Sequence, residues 1–134
     1  MATSWSLAIR KADLDARGAR LNSGYLRLYN GSRPASVNTA ITTQELVVTL
    51  RFGSTAFGAA QDDGTMTANT MTGGRGELEP SGTVTWGRAY ESDGTTPVCD
   101  VNCATSGAEV NLDNTLIPYN VMVTISSLVV SELS

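Results

Sequence analysis

The residues best suited to chemistry in this 134-residue chain are few, and each has a structural alternative. Cys99 and Cys103 lie four positions apart. Along a regular strand that spacing spans about 13 Å, well beyond disulfide reach, so a bond requires the chain to fold back at Val101-Asn102. No further Cys or His completes a zinc site, and the expectation is a pair of buried free thiols acting as small hydrophobes. Asp62-Asp63 and Asp93 fall where turn chemistry already explains them, and Glu77 and Glu79 flank a glycine-rich stretch. Asp62-Asp63-Gly64 is too sparse for a calcium loop. Thr72-Gly73-Gly74-Arg75-Gly76 has the glycines of a phosphate cradle but no following Gly-Lys-Ser/Thr, and reads as a mobile loop or an inter-subunit contact. Arg88 is the odd residue, since alternation places it beside Trp86 and Tyr90. It can stack on those rings and pair with a carboxylate.

The chain has no histidine. That removes Ser-His-Asp and Cys-His nucleophile systems, imidazole proton shuttling and most zinc sites. The expectation is a protein with no enzyme activity, no metal and no cofactor.

Charge is unevenly divided. Residues 1–33 carry six basic against two acidic side chains, a net +4, and residues 34–134 carry three against eleven, a net −8. Either the basic segment lies against the acidic remainder of its own chain, or it contacts an acidic neighbour in an assembly. Nucleic acid is the weakest reading, because no aromatic interleaving or known motif accompanies the charge. No apolar run reaches membrane-helix length, so no membrane partner is expected. Arg10, Lys11 and Asp13 interrupt any signal-peptide core, which points to synthesis and retention in a cytoplasm.

The elements that must position these residues are mainly β. Residues 1–134 read as a single domain, with a helix over about 6–22 and a β-rich body over about 24–131. Leu7, Leu14 and Leu21 recur every seven residues beside Ala8, Ala12, Ala16 and Ala19, and Asn22-Ser23-Gly24 is a stop signal. About seven strands follow, which predicts an antiparallel β-sandwich or barrel with one N-terminal helix. The central feature is a hairpin of Gly82–Glu91 against Pro97–Cys103, turned by Ser92-Asp93-Gly94. Val84, Trp86, Arg88 and Tyr90 share one face of its first run, expected to point into the sheet core. The last strand, Val121 to Val130, changes phase at Ser126-Ser127, so Leu128 and Val130 oppose Val121, Val123 and Ile125. A β-bulge at the serines would restore one buried face; a straight strand would instead press its end against a neighbouring subunit, the preferred expectation.

Several stretches resemble a known family. Leu21-Asn22-Ser23-Gly24-Tyr25-Leu26-Arg27-Leu28-Tyr29-Asn30-Gly31-Ser32-Arg33-Pro34-Ala35 is similar to the "LNGGxLRIYSGxxPA" stretch of small tailed-bacteriophage virion proteins. The likeness continues at Phe52–Ala60, at Gly82–Asp93 and at Thr105–Leu112, and so covers nearly the whole chain. It implies a structural protein of the virion, a capsid decoration or cement protein made in the bacterial host cytoplasm. Its implied partners are the major capsid protein or other virion proteins, and further copies of itself in a homo-oligomer. Arg10, Arg17 and Arg20, with Leu128 and Val130, are the expected interface residues. Two alternatives stand beside it: a tail or fibre component, and a carbohydrate-binding β-sandwich module in which Trp5, Tyr25 and Tyr29 would be solvent-facing and coplanar.

Overall fold

The computed structural model describes residues 3–132. One helix, α1 (Leu7–Ala19), is followed by β1 (Tyr25–Tyr29), β2 (Leu46–Arg51), β3 (Thr65–Thr67), β4 (Gly74–Arg75), β5 (Ser81–Thr83), β6 (Trp86–Tyr90), β7 (Pro97–Ala104), β8 (Val110–Asn111), β9 (Leu116–Pro118), β10 (Met122–Val123) and β11 (Ser127–Ser131). The protein is mainly β, as expected. Among the described residues the strands number eleven rather than about seven: the runs Gly82–Glu91 and Val121–Val130 each divide in two, and β4 and β9 form in stretches not expected to be strands.

The Ser6 hydroxyl caps α1 by accepting from the Ile9 N–H at 3.3 Å. Leu14 and Gly18 are buried on the helix and Leu21 just beyond it, whereas Leu7 is exposed. The leucine stripe therefore covers the sheet only from Leu14 onward. Two side chains fasten this half: Asp15 accepts from the Ala60 N–H at 2.7 Å, and Asn22 from the Ala56 N–H at 2.8 Å.

Seven strands form one sheet in the order β2-β1-β6-β7-β8-β11-β3, antiparallel except for the parallel β7/β8 pair. Antiparallel bridges Arg51–Thr72 and Phe57–Ala68 tie the segments flanking β3 back to β2 and its continuation. The sheet thus curls until its two ends meet. Two-stranded pairs, β4/β10 and β5/β9, complete the body.

The central hairpin forms, with Gly87 opposite Val101 and Arg88 opposite Asp100. Val84 lies in the main core as expected, but from Trp86 onward the core side is the opposite one from that expected. Leu26, Leu28, Val48, Leu50, Ala89 and Val101 build the main core, and a methyl on Gly87 would press on Leu28. Trp86, Arg88 and Tyr90 face the other way, yet all three are buried. Trp86 and Arg88 are covered by the polar segment 30–39, whose main-chain carbonyls accept their N–H groups, and the Arg27 guanidinium lies over the Tyr90 ring.

The terminal strand is neither bulged nor straight. It divides: β10 pairs with β4, and β11 with β8 and β3. The Ser126 N–H and hydroxyl bond the Asn111 carbonyl and the Asp113 carboxylate, while the Asn111 amide donates to the Ser127 hydroxyl. The serines are the point where the chain crosses from one sheet to another, which absorbs the change of phase. Leu128 consequently lies in the core of its own subunit, and Val130 packs half-buried against that core.

Candidate functional site

The outer face of the sheet holds the most polar burial in the molecule. Arg88 donates from Nε to Asp100 Oδ1 at 2.7 Å and from Nη2 to Oδ2 at 3.0 Å, a two-pronged pair. Its remaining donors reach the Thr39 carbonyl at 2.9 Å and the Ser36 carbonyl at 3.3 Å. The guanidinium lies 5.4 Å from the Trp86 ring centroid, so both sequence expectations for Arg88 hold together. The hydrogen bonds to Asp100 raise its pKa above the ordinary value, against the opposing effect of burial. Trp86 stacks on Tyr29 at 4.9 Å and donates to the Asn30 carbonyl at 3.0 Å. Each guanidinium nitrogen and the indole N–H has a protein partner, so the arrangement clamps segment 30–39 to the sheet.

The other chemistry-bearing residues stay apart. Lys11 pairs with Asp62 at 2.9 Å, Asp63 accepts from Thr65, and Asp93 accepts from the Thr95 and Thr96 N–H groups. Among the described residues, no three Cys, Asp or Glu side chains converge as a metal site. Tyr29 is buried under segment 30–39 while Trp5 stands free at 64 % exposure, so Trp5, Tyr25 and Tyr29 form no common sugar-stacking platform.

Cys99 and Cys103 are free thiols on the core side of β7. Burial pushes Cys99 up to about 11 and Cys103 up to about 12. At pH 8 the Cys99 thiolate is therefore on the order of one part in a thousand. Native protein should label slowly with iodoacetamide and rapidly once unfolded. Because the folded values lie above the ordinary thiol value of about 9, the stability they contribute is complete below pH 9 and lost as pH rises toward 11 and 12. Urea midpoints measured from pH 7 to 11 should fall over that interval.

The basic helix finds acids within its own chain. Arg10 pairs with Glu132 at 3.1 Å and Arg20 with Glu91 at 2.7 Å. These are exposed contacts, each worth at most about 1 kcal/mol. Arg17 differs, since it donates to the Glu132 main-chain carbonyl, at 3.3 Å, and has no carboxylate partner among the described residues. The division of charge along the sequence is thus largely met inside one subunit.

The feature that sequence reasoning missed is an apolar tip. Of the seven large apolar side chains exposed among the described residues, four sit on one short stretch: Leu116, Tyr119, Val121 and Met122, each about half exposed. The tip projects near the Leu46 end of β2, whereas α1 meets the sheet near the Arg51 end. It is firmly held. Asn120, at φ 62°, donates its N–H to the Gly76 carbonyl and the Gly76 N–H donates to the Val121 carbonyl, the Tyr119 N–H donates to the Pro80 carbonyl, and Arg75 donates to the Asn120 carbonyl at 2.9 Å. The glycine-rich stretch is therefore no loose loop. A Cβ at Gly73, Gly74 or Gly76 would strike the carbonyl of Val123, Thr49 or Pro118 respectively, so glycine lets three backbones pack together here.

Family models, characterised proteins and solved structures were all compared with this chain, and none matches it.

Proposed function

We propose that this chain is a structural protein of a tailed-phage virion, a decoration protein that binds the assembled head through the tip formed by residues 116–122. The family resemblance supplies the virion, and the tip is the observation that carries the contact. Four apolar side chains held at the surface by a hydrogen-bonded turn are poorly placed for a monomer in water and well placed to bury against a partner. A ligand that binds the assembled shell and not its separate subunits stabilises the shell by mass action.

The reading is tested with capsids stripped of the protein. Tyr119→Ser combined with Met122→Ser should reduce occupancy in co-sedimentation at least about tenfold, the effect of losing about 1.4 kcal/mol. The melting temperature should change little, because both side chains already face water. Apolar contact also implies that occupancy survives a rise from about 0.05 to 0.5 M salt, over which exposed ion pairs weaken. Full occupancy by the double variant would remove the tip from the interface.

A further inference from the structure

A cavity of about 330 Å³ lies where α1 crosses the sheet. It exists because β8 is short. β8 joins β7 at Cys103 and Ala104 and joins β11 at Ser127 and Leu128. One residue further, Glu109 still spans the two strands, its carbonyl accepting from the Val129 N–H and its carboxylate from the Asn102 N–H. Beyond that the row stops, and the first half of β7 and the end of β11 both border open space under the helix. The walls are mostly apolar: Leu14 from the helix and Leu21 just beyond it, Phe57, Met66, Val101 and Val130 from the body, with the neutral Cys99 thiol among them, while Asp100 and Ser131 also border the cavity. Arg17 stands at the rim. Among the described residues it has no carboxylate partner, whereas Arg10 and Lys11 of α1 and Arg20 just beyond it each have one.

A largely apolar hole edged by a guanidinium suits a large aromatic side chain, since the walls take the ring and the cation stacks on its face. The chain carries such a group unburied. Trp5 precedes the helix, 64 % exposed, flanked by the small polar residues Ser4 and Ser6. Its own cavity is out of reach. With a rise of about 1.5 Å per residue, nine to twelve positions separate Trp5 from Leu14 and Arg17 by about 14–18 Å along the helix. We infer that Trp5 of one copy of this chain inserts into the cavity beneath α1 of a second copy, against its Arg17. The donating arm and the receiving cavity are different surfaces, so the contact is heterologous. It serves the assembly role proposed above but uses neither the tip nor the shell.

The test reads self-association in solution, without capsids, by sedimentation velocity from about 1 µM to 1 mM, the range a single buried anchor supports. Wild type should associate over that range, and Trp5→Ala should weaken association at least about 30-fold, as loss of a central tryptophan does. Cys99→Phe, which fills the receiving cavity, should do the same. Mixing the two variants should restore a pair, since one keeps the cavity and the other the indole. A peptide spanning residues 3–6 should bind Trp5→Ala protein, which guards against a Cys99→Phe variant that fails to fold. Wild type that stays monomeric, Trp5→Ala that associates normally, or no binding of the peptide overturns the inference. Monomeric wild type that still decorates capsids would overturn this contact alone, and self-association without decoration would overturn the proposed function alone.

Discussion

Asp100→Ala should destabilise the protein by about 3–5 kcal/mol, because it leaves a guanidinium buried without its counter-charge. Arg88 and Asp100 are both nearly inaccessible to water, and the carboxylate supplies two of the four acceptors that Arg88 uses. The two remaining partners are neutral carbonyls of Thr39 and Ser36, which cannot balance the charge. Relief requires segment 30–39 to lift so that water reaches Arg88, and that would also uncover Trp86 and Tyr29. The loss is large against a total stability of about 5–15 kcal/mol for a domain. Replacing both members, Arg88→Met with Asp100→Leu, should cost far less, since no buried charge is left and the desolvation penalty of two ions disappears. Denaturant titrations of the two single variants and the double variant give the coupling directly. A loss below about 1 kcal/mol for Asp100→Ala would mean that water already reaches the pair.

That pair also shows how far the sequence could be read. Two-residue alternation put Arg88 with Trp86 and Tyr90 and gave the arginine a carboxylate to find, and both follow from strand geometry alone. Alternation could not say which face of β6 meets the main core, because a central strand buried on both sides carries no polar face to mark the outside. The cover over Trp86 is supplied by main-chain carbonyls of a segment rich in Ser, Thr and Asn, and carbonyls leave no trace in residue type. A similar limit hid the glycine-rich stretch. Glycine marks free conformation and close backbone approach alike, and only the neighbouring carbonyls of Thr49, Val123 and Pro118 decide between them. The helix was legible from its stripe and stop signal, apart from its first turns, where Leu7 stands in water. The tip was not legible. Val121 and Met122 were absorbed into a long terminal strand, and their exposure depends on where that strand divides.

Leu128→Ala should cost about 2–5 kcal/mol, and the loss should appear in the isolated subunit with no partner present. Phase alone assigned Leu128 to a contact between subunits, on the premise that Val121 to Val130 forms one strand. The chain instead changes sheets at Ser126-Ser127, which turns Leu128 inward opposite Val110, 2 % exposed. Removing its isobutyl group there forfeits its transfer free energy and leaves a hole whose walls include Val110, itself fully buried. The site is poorly able to collapse, because β11 is held on both sides, by β8 and by β3. Val130, two residues on, borders the cavity under α1 and already has space beside it, so Val130→Ala should cost distinctly less. Urea midpoints should therefore rank wild type, Val130→Ala and Leu128→Ala in falling order, with the slope of the transition unchanged if the native fold is kept. Equal stability of Leu128→Ala and wild type would return this residue to the surface, and with it the straight terminal strand that the phase change suggested.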